Sequence, residues 1–156
     1  MTLYDSSFLK KISERELQHL LEIHPYLIKP KFIAATYEPQ KRLKSGLADL
    51  VFYLKNEIII VELKIVPLDN SCVLQLNGYL NDIKELFPER KISGIIVGEK
   101  PKENVLTLAG NLDFPIEVKI INDDIPIFIK ICDKCRKAND KTNRSCVFCN
   151  SKRWLG

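Results

Sequence analysis

Periodic patterns divide the first half of the chain into one helix followed by several strands. Leucines recur at helical spacing over 14–23 and predict a helix there. The helix opens on a capping box, because Ser13 is followed three residues later by Glu16. Pro25 and Pro30 end it and begin a loop. Segments rich in β-branched and aromatic residues predict strands at 32–37, 46–54 and 57–65.

The second half of the chain alternates between helices and strands. Asp69, Asn70 and Ser71 are N-cap candidates for a helix that runs to about Phe87 and is stopped by Pro88. The remaining apolar segments predict a strand at 92–97, a short helix at 101–109 and a strand at 116–121, before a stretch at 125–131 that leads into Cys132. This order predicts an α/β or α+β fold with a mixed sheet.

Composition narrows the class of protein. The 156 residues are 46% hydrophobic and 28% charged, as in globular domains, which excludes a disordered chain. The longest apolar runs, such as 58–61, are strand-sized and far below the roughly 18–20 residues of a membrane span. The first residues lack the pattern of a signal peptide, so we expect a cytoplasmic protein with no membrane partner. In that reducing compartment the cysteines are expected to be metal ligands rather than disulfides.

The positive charge of the chain is concentrated near its C-terminus. Residues 131–156 contain seven basic and two acidic residues, whereas the other 130 residues are balanced, with 17 basic and 18 acidic. A basic segment beside a near-neutral body indicates a polyanionic partner such as nucleic acid. A solvated tail without a partner is the alternative on charge alone.

Three charged residues interrupt the apolar strands in the centre of the chain, namely Asp49, Glu62 and Lys64. They are unexpected there, because burying a charge is costly unless it is paired or bound to a metal. Glu62 and Lys64 are two residues apart and therefore project from the same face of a strand. A hairpin that turns at 55–56 would place Asp49 directly opposite Glu62.

Two opposed carboxylates repel each other unless a cation lies between them, and Mg²⁺ or Mn²⁺ prefers such oxygen ligands. Lys64 would stand beside the pair, where it could orient a water or bind a phosphate oxygen. This register needs an even-numbered loop, and a structural Glu–Lys pair at a sheet edge is the alternative. The same spacing recurs at Glu117 and Lys119, but Asp113 is too close in sequence to lie on a facing strand.

The C-terminal segment carries the cysteine pattern of a zinc site. Cys132 and Cys135 form one Cys-x-x-Cys pair, and Cys146 and Cys149 form a second pair after ten intervening residues. This spacing predicts tetrahedral Zn²⁺ in a zinc ribbon, with disulfides and an iron–sulfur cluster as alternatives. So short a segment cannot build a core of its own, so the metal would supply its folding energy.

Other residues near these motifs have competing interpretations. Phe148 and Trp154 could stack on bases beside the neighbouring cations, although for Phe148 we expect packing against the body. Cys72, at the start of a helix, is expected to be a small core residue. His19 and His24 do not share a helix face and are expected to be ordinary residues.

Five segments occur in the order and spacing of one nuclease superfamily. They are SEREL at 13–17, HPYLI at 24–28, GLADL at 46–50, IVELK at 60–64 and QLNGY at 75–79. Over these segments the chain resembles the PD-(D/E)XK superfamily, and within it the catalytic domain of the archaeal and actinobacterial NucS/EndoMS endonucleases. The resemblance implies a restriction-endonuclease-like mixed sheet with an αβββαβ core over 1–130, followed by the zinc ribbon at 131–156.

The resemblance also implies roles for individual residues. Asp49 and Glu62 would hold a divalent metal, Mg²⁺ or Mn²⁺, together with the backbone carbonyl of Leu63. Lys64 would position the attacking water or stabilise charge on the scissile phosphate. Glu14 matches the family's helical glutamate, which supports the metal directly or through water.

Two further positions and two departures complete the comparison with the family pattern. Gln75 matches the glutamine on the helix after the motif, and Tyr79 shares its helix face, although a core role is the alternative for the tyrosine. Ile65 stands where the family usually has a basic residue. The family proteins also have an N-terminal domain for dimerisation and DNA binding, whereas this sequence begins almost at the nuclease core. Mismatch specificity is therefore not expected to carry over.

These features together predict a metal-dependent DNA endonuclease that hydrolyses phosphodiester bonds, with the zinc ribbon assisting nucleic-acid binding. A homodimer is compatible with this function, because many nucleases act in pairs to cut two strands. One alternative is a non-catalytic nucleic-acid-binding or regulatory protein on a decayed nuclease fold, which the retention of Asp49, Glu62 and Lys64 disfavours. Another is a nuclease specific for branched DNA or RNA.

Overall fold

The computed structural model describes residues 14–127 and 129–156. The helices are α1 (Glu14–Ile23), α2 (Asn70–Leu86) and α3 (Val105–Gly110), with 3₁₀ helices at Pro25–Leu27 and Pro30–Ala34. The strands are β1 (Thr36–Leu43), β2 (Gly46–Tyr53), β3 (Glu57–Pro67), β4 (Lys91–Glu99), β5 (Ile116–Ile120), β6 (Ile129–Ile131) and β7 (Ala138–Asp140). The predicted mixed α/β class is confirmed, while Ser13 of the capping box lies outside the described residues.

A five-stranded sheet in the order β1-β2-β3-β4-β5 forms the centre of the molecule. Strands β1, β2 and β3 are antiparallel neighbours, whereas β3, β4 and β5 run parallel. Alternation along β3 sends Ile59, Val61 and Leu63 into the core shared with α1. Ile58 and Ile60 enter the core shared with α2 on the opposite face. The sheet is therefore covered on both faces.

The strand predicted at 32–37 is wrong. Pro30 begins a 3₁₀ helix in which Phe32 is fully buried and stacks on Phe52, with ring centroids 4.2 Å apart. The strand begins at Thr36 instead and continues to Leu43. Most of β1 is exposed because it forms the edge of the sheet, so it lacks the alternating apolar pattern by which strands are recognised.

Two later segments also differ from their predicted extents. Helix α3 begins at Val105 rather than 101, because Asn104 has a left-handed backbone (φ 70°) that precedes the first helical turn. Of the apolar stretch at 125–131, β6 alone is a strand, and it pairs with β7 in a separate two-stranded sheet. The predicted boundary at 131 falls at the end of β6. In the described ranges, no helix is both long and apolar enough for a membrane span.

Candidate active site

The two predicted acids lie where β2 and β3 separate. The hairpin has the predicted register, with Leu50 opposite Val61 and Tyr53 opposite Ile58, and the amide of Leu54 donates to the carbonyl of Glu57. Continued by one residue, this register places Asp49 opposite Glu62, where the paired residues of the ladder end. The strands therefore open at the position that carries the carboxylates.

Each carboxylate replaces a missing backbone acceptor at this opening. The backbone amide of Asp49 donates to Glu62 Oε1 at 2.9 Å. The backbone amide of Leu63 donates to Asp49 Oδ2, also at 2.9 Å. These bonds to charged acceptors satisfy amides that would otherwise lack a partner, and they fix the two carboxylates beside each other.

Burial and like charge act together on Glu62. Its side chain is in the interior, with the residue only 4% exposed. Burial, and then the negative charge of Asp49, raise the pKa of Glu62 far above its ordinary value, while the Asp49 amide and Lys64 oppose the shift. A divalent cation would offset the repulsion between the two carboxylates and the cost of burying their charge. Carboxylate oxygens are the ligands that Mg²⁺ and Mn²⁺ prefer. The donor set therefore fits such an ion.

Gln40 is a residue of this site that sequence reasoning missed. It lies on β1 opposite Asp49 and has a left-handed backbone (φ 46°). Its Nε2 donates to Asp49 Oδ1 at 3.1 Å and to Gln18 Oε1 at 2.8 Å. Both oxygens of Asp49 are thus oriented, one by Gln40 and the other by Leu63. With the strand predicted at 32–37, no signal pointed to residue 40.

A cleft of about 1340 Å³ opens in front of Asp49. It is lined by α1, by Gln40 and Asp49, and by residues from the C-terminal part of the chain. Glu14, the predicted helical glutamate, lines the same cleft as Asp49. We refer to this space as the active-site cleft. His19 and His24 also line it, although they do not share a helix face.

The remaining predicted residues approach the acids from β3 and α2. Lys64 is near enough for its charge to lower the pKa of Glu62. Gln75 donates from Nε2 to the hydroxyl of Tyr79 at 3.1 Å. Tyr79 is buried in the core, and burial together with the charge of Glu62 raises its pKa. The tyrosine is therefore a core residue, and its partner Gln75 lies close to the site without a contact to either acid among the described hydrogen bonds.

The second Glu-x-Lys motif has different surroundings. Glu117 on β5 forms ion pairs with Lys29 at 3.1 Å and with Lys119 at 3.5 Å. Its side chain is 47% exposed, in contrast to the buried Glu62. The two motifs are alike in sequence, but Glu62 is the one whose carboxylate is buried beside a second acid.

The four cysteines predicted as ligands meet in one cluster. The Sγ atoms of Cys132, Cys135, Cys146 and Cys149 all lie within 4.8 Å of one another. Cys132 and Cys149 are 3.6 Å apart, and Cys135 and Cys146 are 3.5 Å apart. Four sulfurs at Zn–S bonds of ~2.3 Å in a tetrahedron are ~3.8 Å apart, so the cluster fits a single metal ion. Cys72 lies elsewhere, in the first turn of α2, where it packs into the core on that face of the sheet.

Amide donors surround the sulfurs. Burial disfavours the thiolate of Cys146, but the backbone amides of Cys149 and Phe148 and the side-chain amide of Asn139 outweigh it and lower the pKa of Cys146. Asn139 is buried, and its Nδ2 lies 3.4 Å from that sulfur. Its Oδ1 accepts from the amide of Val147. Such outer contacts orient ligands and favour the deprotonated form that binds metal.

The segment 131–156, which we call the cysteine module, is docked on the body through Tyr26. The Tyr26 hydroxyl accepts from the backbone amide of Ala138 at 2.7 Å and forms a second hydrogen bond with His24 Nδ1. Phe148 packs edge-on against Tyr26, with ring centroids 4.9 Å apart, which agrees with the predicted packing of Phe148 against the body. Burial raises the pKa of Tyr26 to about 12, so its hydroxyl stays protonated at neutral pH.

Trp154, the other aromatic residue of the cysteine module, has contacts within the C-terminal part of the chain. It forms a backbone bridge to Cys132, and Lys130 Nζ lies 4.1 Å from the centre of its ring. This cation–π contact occupies one face of the indole. Trp154 therefore supports the cysteine cluster.

Comparisons with known proteins place the body of the chain in one family. Residues 13–130 match the sequence model of the endonuclease NucS C-terminal domain. Endonuclease NucS of Aeropyrum pernix is 35% identical over 95 residues, which are 60% of this chain and 34% of that protein. The resemblance to NucS is thereby confirmed for the body, whereas the cysteine module lies beyond the matched residues.

Solved structures support the same fold. The crystal structure of a repair endonuclease from Pyrococcus abyssi aligns with a TM-score of 0.56 at 24% identity, covering 70% of this chain and 47% of that one. A structure of an EndoMS–dsDNA complex aligns with a TM-score of 0.58 at 20% identity, covering 69% and 44%. The chain thus spans about a third of the curated relative and less than half of these structures. Because the family's sequence model covers most of its length, the chain belongs to the endonuclease NucS C-terminal domain family.

Proposed function

We propose that this chain is a metal-dependent DNA endonuclease of the PD-(D/E)XK type that hydrolyses phosphodiester bonds beside Asp49 and Glu62. The observation that carries the proposal is the pair formed by the buried Glu62 and the partly exposed Asp49, whose carboxylates each accept a hydrogen bond from a backbone amide of the facing strand. Membership of an endonuclease family supports the reaction, and the relative solved with double-stranded DNA supports the substrate.

Asp49, Glu62 and the backbone carbonyl of Leu63 would hold the Mg²⁺ or Mn²⁺ ion. When bound, the ion would polarise a phosphate oxygen and lower the pKa of a coordinated water. Few protein ligands are needed, because Mg²⁺ keeps several waters and also binds substrate phosphates. The negative charges of the two carboxylates, Asp49 and Glu62, support a divalent rather than a monovalent cation.

The surrounding side chains would orient the reactants. Gln40 and the Leu63 amide hold Asp49 in one rotamer, so its carboxylate needs no rearrangement when substrate arrives. Lys64 carries a compact positive charge beside Glu62, suited to a phosphate oxygen or to orienting the attacking water. Glu14 would support the metal from the helix side of the active-site cleft, and Gln75 would act from α2.

For the cysteine module we propose a structural Zn²⁺ bound by the four cysteines. The cluster geometry and the amide donors around it support this ion. The seven basic residues of 131–156 would then add to DNA affinity by neutralising phosphates.

A cleavage panel tests the proposed function. Purified protein is incubated with plasmid, single-stranded, mismatched and branched DNA and with RNA, in Mg²⁺ and in EDTA. We expect cleavage of at least one DNA substrate in Mg²⁺ and none in EDTA. Glu62→Ala is expected to lose cleavage and still bind DNA. Binding of DNA without any cleavage by the wild-type chain would favour the non-catalytic alternative and contradict the proposal.

A further inference from the structure

The active-site cleft is built from two parts of the chain. Its lining includes Glu14 and Asp49 from the body, and Ile129, Ile131 and Arg136 from the region where the cysteine module begins. We propose that Arg136 binds a backbone phosphate of the DNA strand that occupies this cleft. The inference rests on the proposed function, and it makes the cysteine module part of the substrate site rather than a remote anchor.

Charge in the cleft favours this role. Its acidic lining, which includes Glu14, Glu22 and Asp49, repels a polyanion and requires compensation. Among the described residues, the Lys and Arg side chains that line the cleft are Arg15 and Arg136. Arg15 lies on α1 among those acids, so Arg136 supplies the positive charge on the part of the lining that comes from the C-terminal residues. The volume of about 1340 Å³ exceeds the ~300–1000 Å³ of pockets for small ligands and suits a polymer.

The guanidinium of Arg136 is available for a ligand. Its side chain is 66% exposed, and its ion pair with Asp133 is long, at 3.6 Å. A planar guanidinium can donate two parallel hydrogen bonds to a phosphate. An exposed ion pair with a carboxylate contributes little free energy, so Arg136 can exchange Asp133 for a phosphate readily.

The backbone of Arg136 is fixed by the cysteine cluster. It follows Cys135 with a left-handed backbone (φ 64°), and its amide donates to the carbonyl of Cys132 at 2.9 Å. Two residues further on, the amide of Ala138 is held by the Tyr26 hydroxyl. The arginine is thus attached on one side to the metal ligands and on the other to the body that carries the acids.

Variants at positions 136 and 144 distinguish a phosphate contact in the cleft from the non-specific effect of positive charge on DNA affinity. Arg136→Asn removes the charge with a residue that tolerates a left-handed backbone, and Arg144→Asn removes the same charge from a position in the cysteine module that does not line the cleft. Both are made in the Glu62→Gln background, and their affinity for a DNA duplex is measured over a range of salt. Arg136→Lys keeps the charge, and zinc content and Tm check that each variant is folded.

We expect Arg136→Asn to weaken binding about tenfold and to reduce the salt slope by about one, with a clearly smaller effect of Arg144→Asn and partial rescue by Arg136→Lys. In the cleaving chain, KM is expected to rise more than kcat falls. Equal effects at 136 and 144, or no DNA binding by the Glu62→Gln chain, would overturn the inference.

If Arg136→Asn loses zinc, Arg136→Gln replaces it under the same criteria. A wild-type chain that binds but does not cleave would refute the proposed function alone, since the binding comparison still decides the role of Arg136.

Discussion

Glu62 is a carboxylic acid held in the interior of the sheet beside Asp49, and this position carries a cost in stability. Its pKa rises from 4.5 to about 8, first through burial and then through the charge of Asp49. The folded chain therefore binds this proton more tightly than the unfolded chain does. Its free energy of unfolding falls as the pH rises from about 4.5 towards about 8.

Glu62→Gln is accordingly expected to stabilise the chain at neutral pH while it removes a proposed metal ligand. The amide oxygen can still accept from the Asp49 amide, so the charge alone is lost. Thermal unfolding in Mg²⁺-free buffer should show a Tm higher by a few degrees, since about 1 kcal/mol corresponds to roughly 2–4 °C at this chain length. The gain should vanish near pH 4.5, and an equal gain at both pH values would contradict the account.

Gln40 orients Asp49, so its removal should act through the proposed metal site. Gln40→Asn suits the left-handed backbone but shortens the side chain that reaches Asp49. We expect the Mg²⁺ concentration for half-maximal cleavage to rise about tenfold, within the range found for outer partners of metal ligands. Lys41→Ala, at the next position on β1, is the control. An unchanged Mg²⁺ dependence in Gln40→Asn would exclude the positioning role.

At the scale of elements, the hairpin of β2 and β3 explains what could be predicted. An even turn at 55–56 and alternation along both strands defined the register that brought Asp49 to Glu62. The edge strand β1 could not be predicted, because exposure on both faces erases alternation, and Gln40 was missed with it. The opening of the two strands was equally hidden, since it depends on side-chain acceptors that replace backbone carbonyls.

Strand β4 supports Lys64 through Gly98. A Cβ atom at Gly98 would lie 2.5 Å from Leu68 Cδ2 and 2.9 Å from the carbonyl oxygen of Lys64. Gly98→Ala is therefore expected to destabilise the chain by about 1–3 kcal/mol and to slow cleavage, because the backbone of Lys64 must move. Gly110→Ala is the control, since a Cβ there meets nothing within 4 Å. Equal Tm values for the two variants would refute this packing.

At the scale of the whole molecule, the body and the cysteine module are joined by buried contacts. Tyr26 bonds to Ala138 and packs against Phe148, and both Ile129 and Ala138 belong to the core that contains α1. The cysteine spacing predicted the cluster, because four ligands in two close pairs leave little freedom. It could not predict the docking, which joins residues 112 positions apart in sequence.

Loss of the metal should therefore destabilise the body of the chain as well as the cysteine module. Cys146→Ser is expected to abolish stoichiometric zinc binding, measured by mass spectrometry, and to lower the Tm, because so short a module would draw its folding energy from the proposed metal. Cys72→Ser is the matched control, since that cysteine lies in α2 and outside the cysteine cluster. Full zinc retention in Cys146→Ser would contradict the assigned cluster.

The most direct measurement of the central claim compares the two Glu-x-Lys motifs. The rate of Mg²⁺-dependent DNA cleavage is measured for the wild type, Glu62→Gln and Glu117→Gln, each with its affinity for DNA. Mutation of a residue that only contacts a metal ligand lowers metal affinity or activity by about 10–100-fold. Glu62 is proposed as a ligand itself, so we expect Glu62→Gln to lower the cleavage rate by more than about a hundredfold while DNA binding is retained. Glu117→Gln, an exposed residue on β5, should stay within about twofold. Cleavage that persists in Glu62→Gln, or falls equally in both variants, would contradict a catalytic site at Asp49 and Glu62.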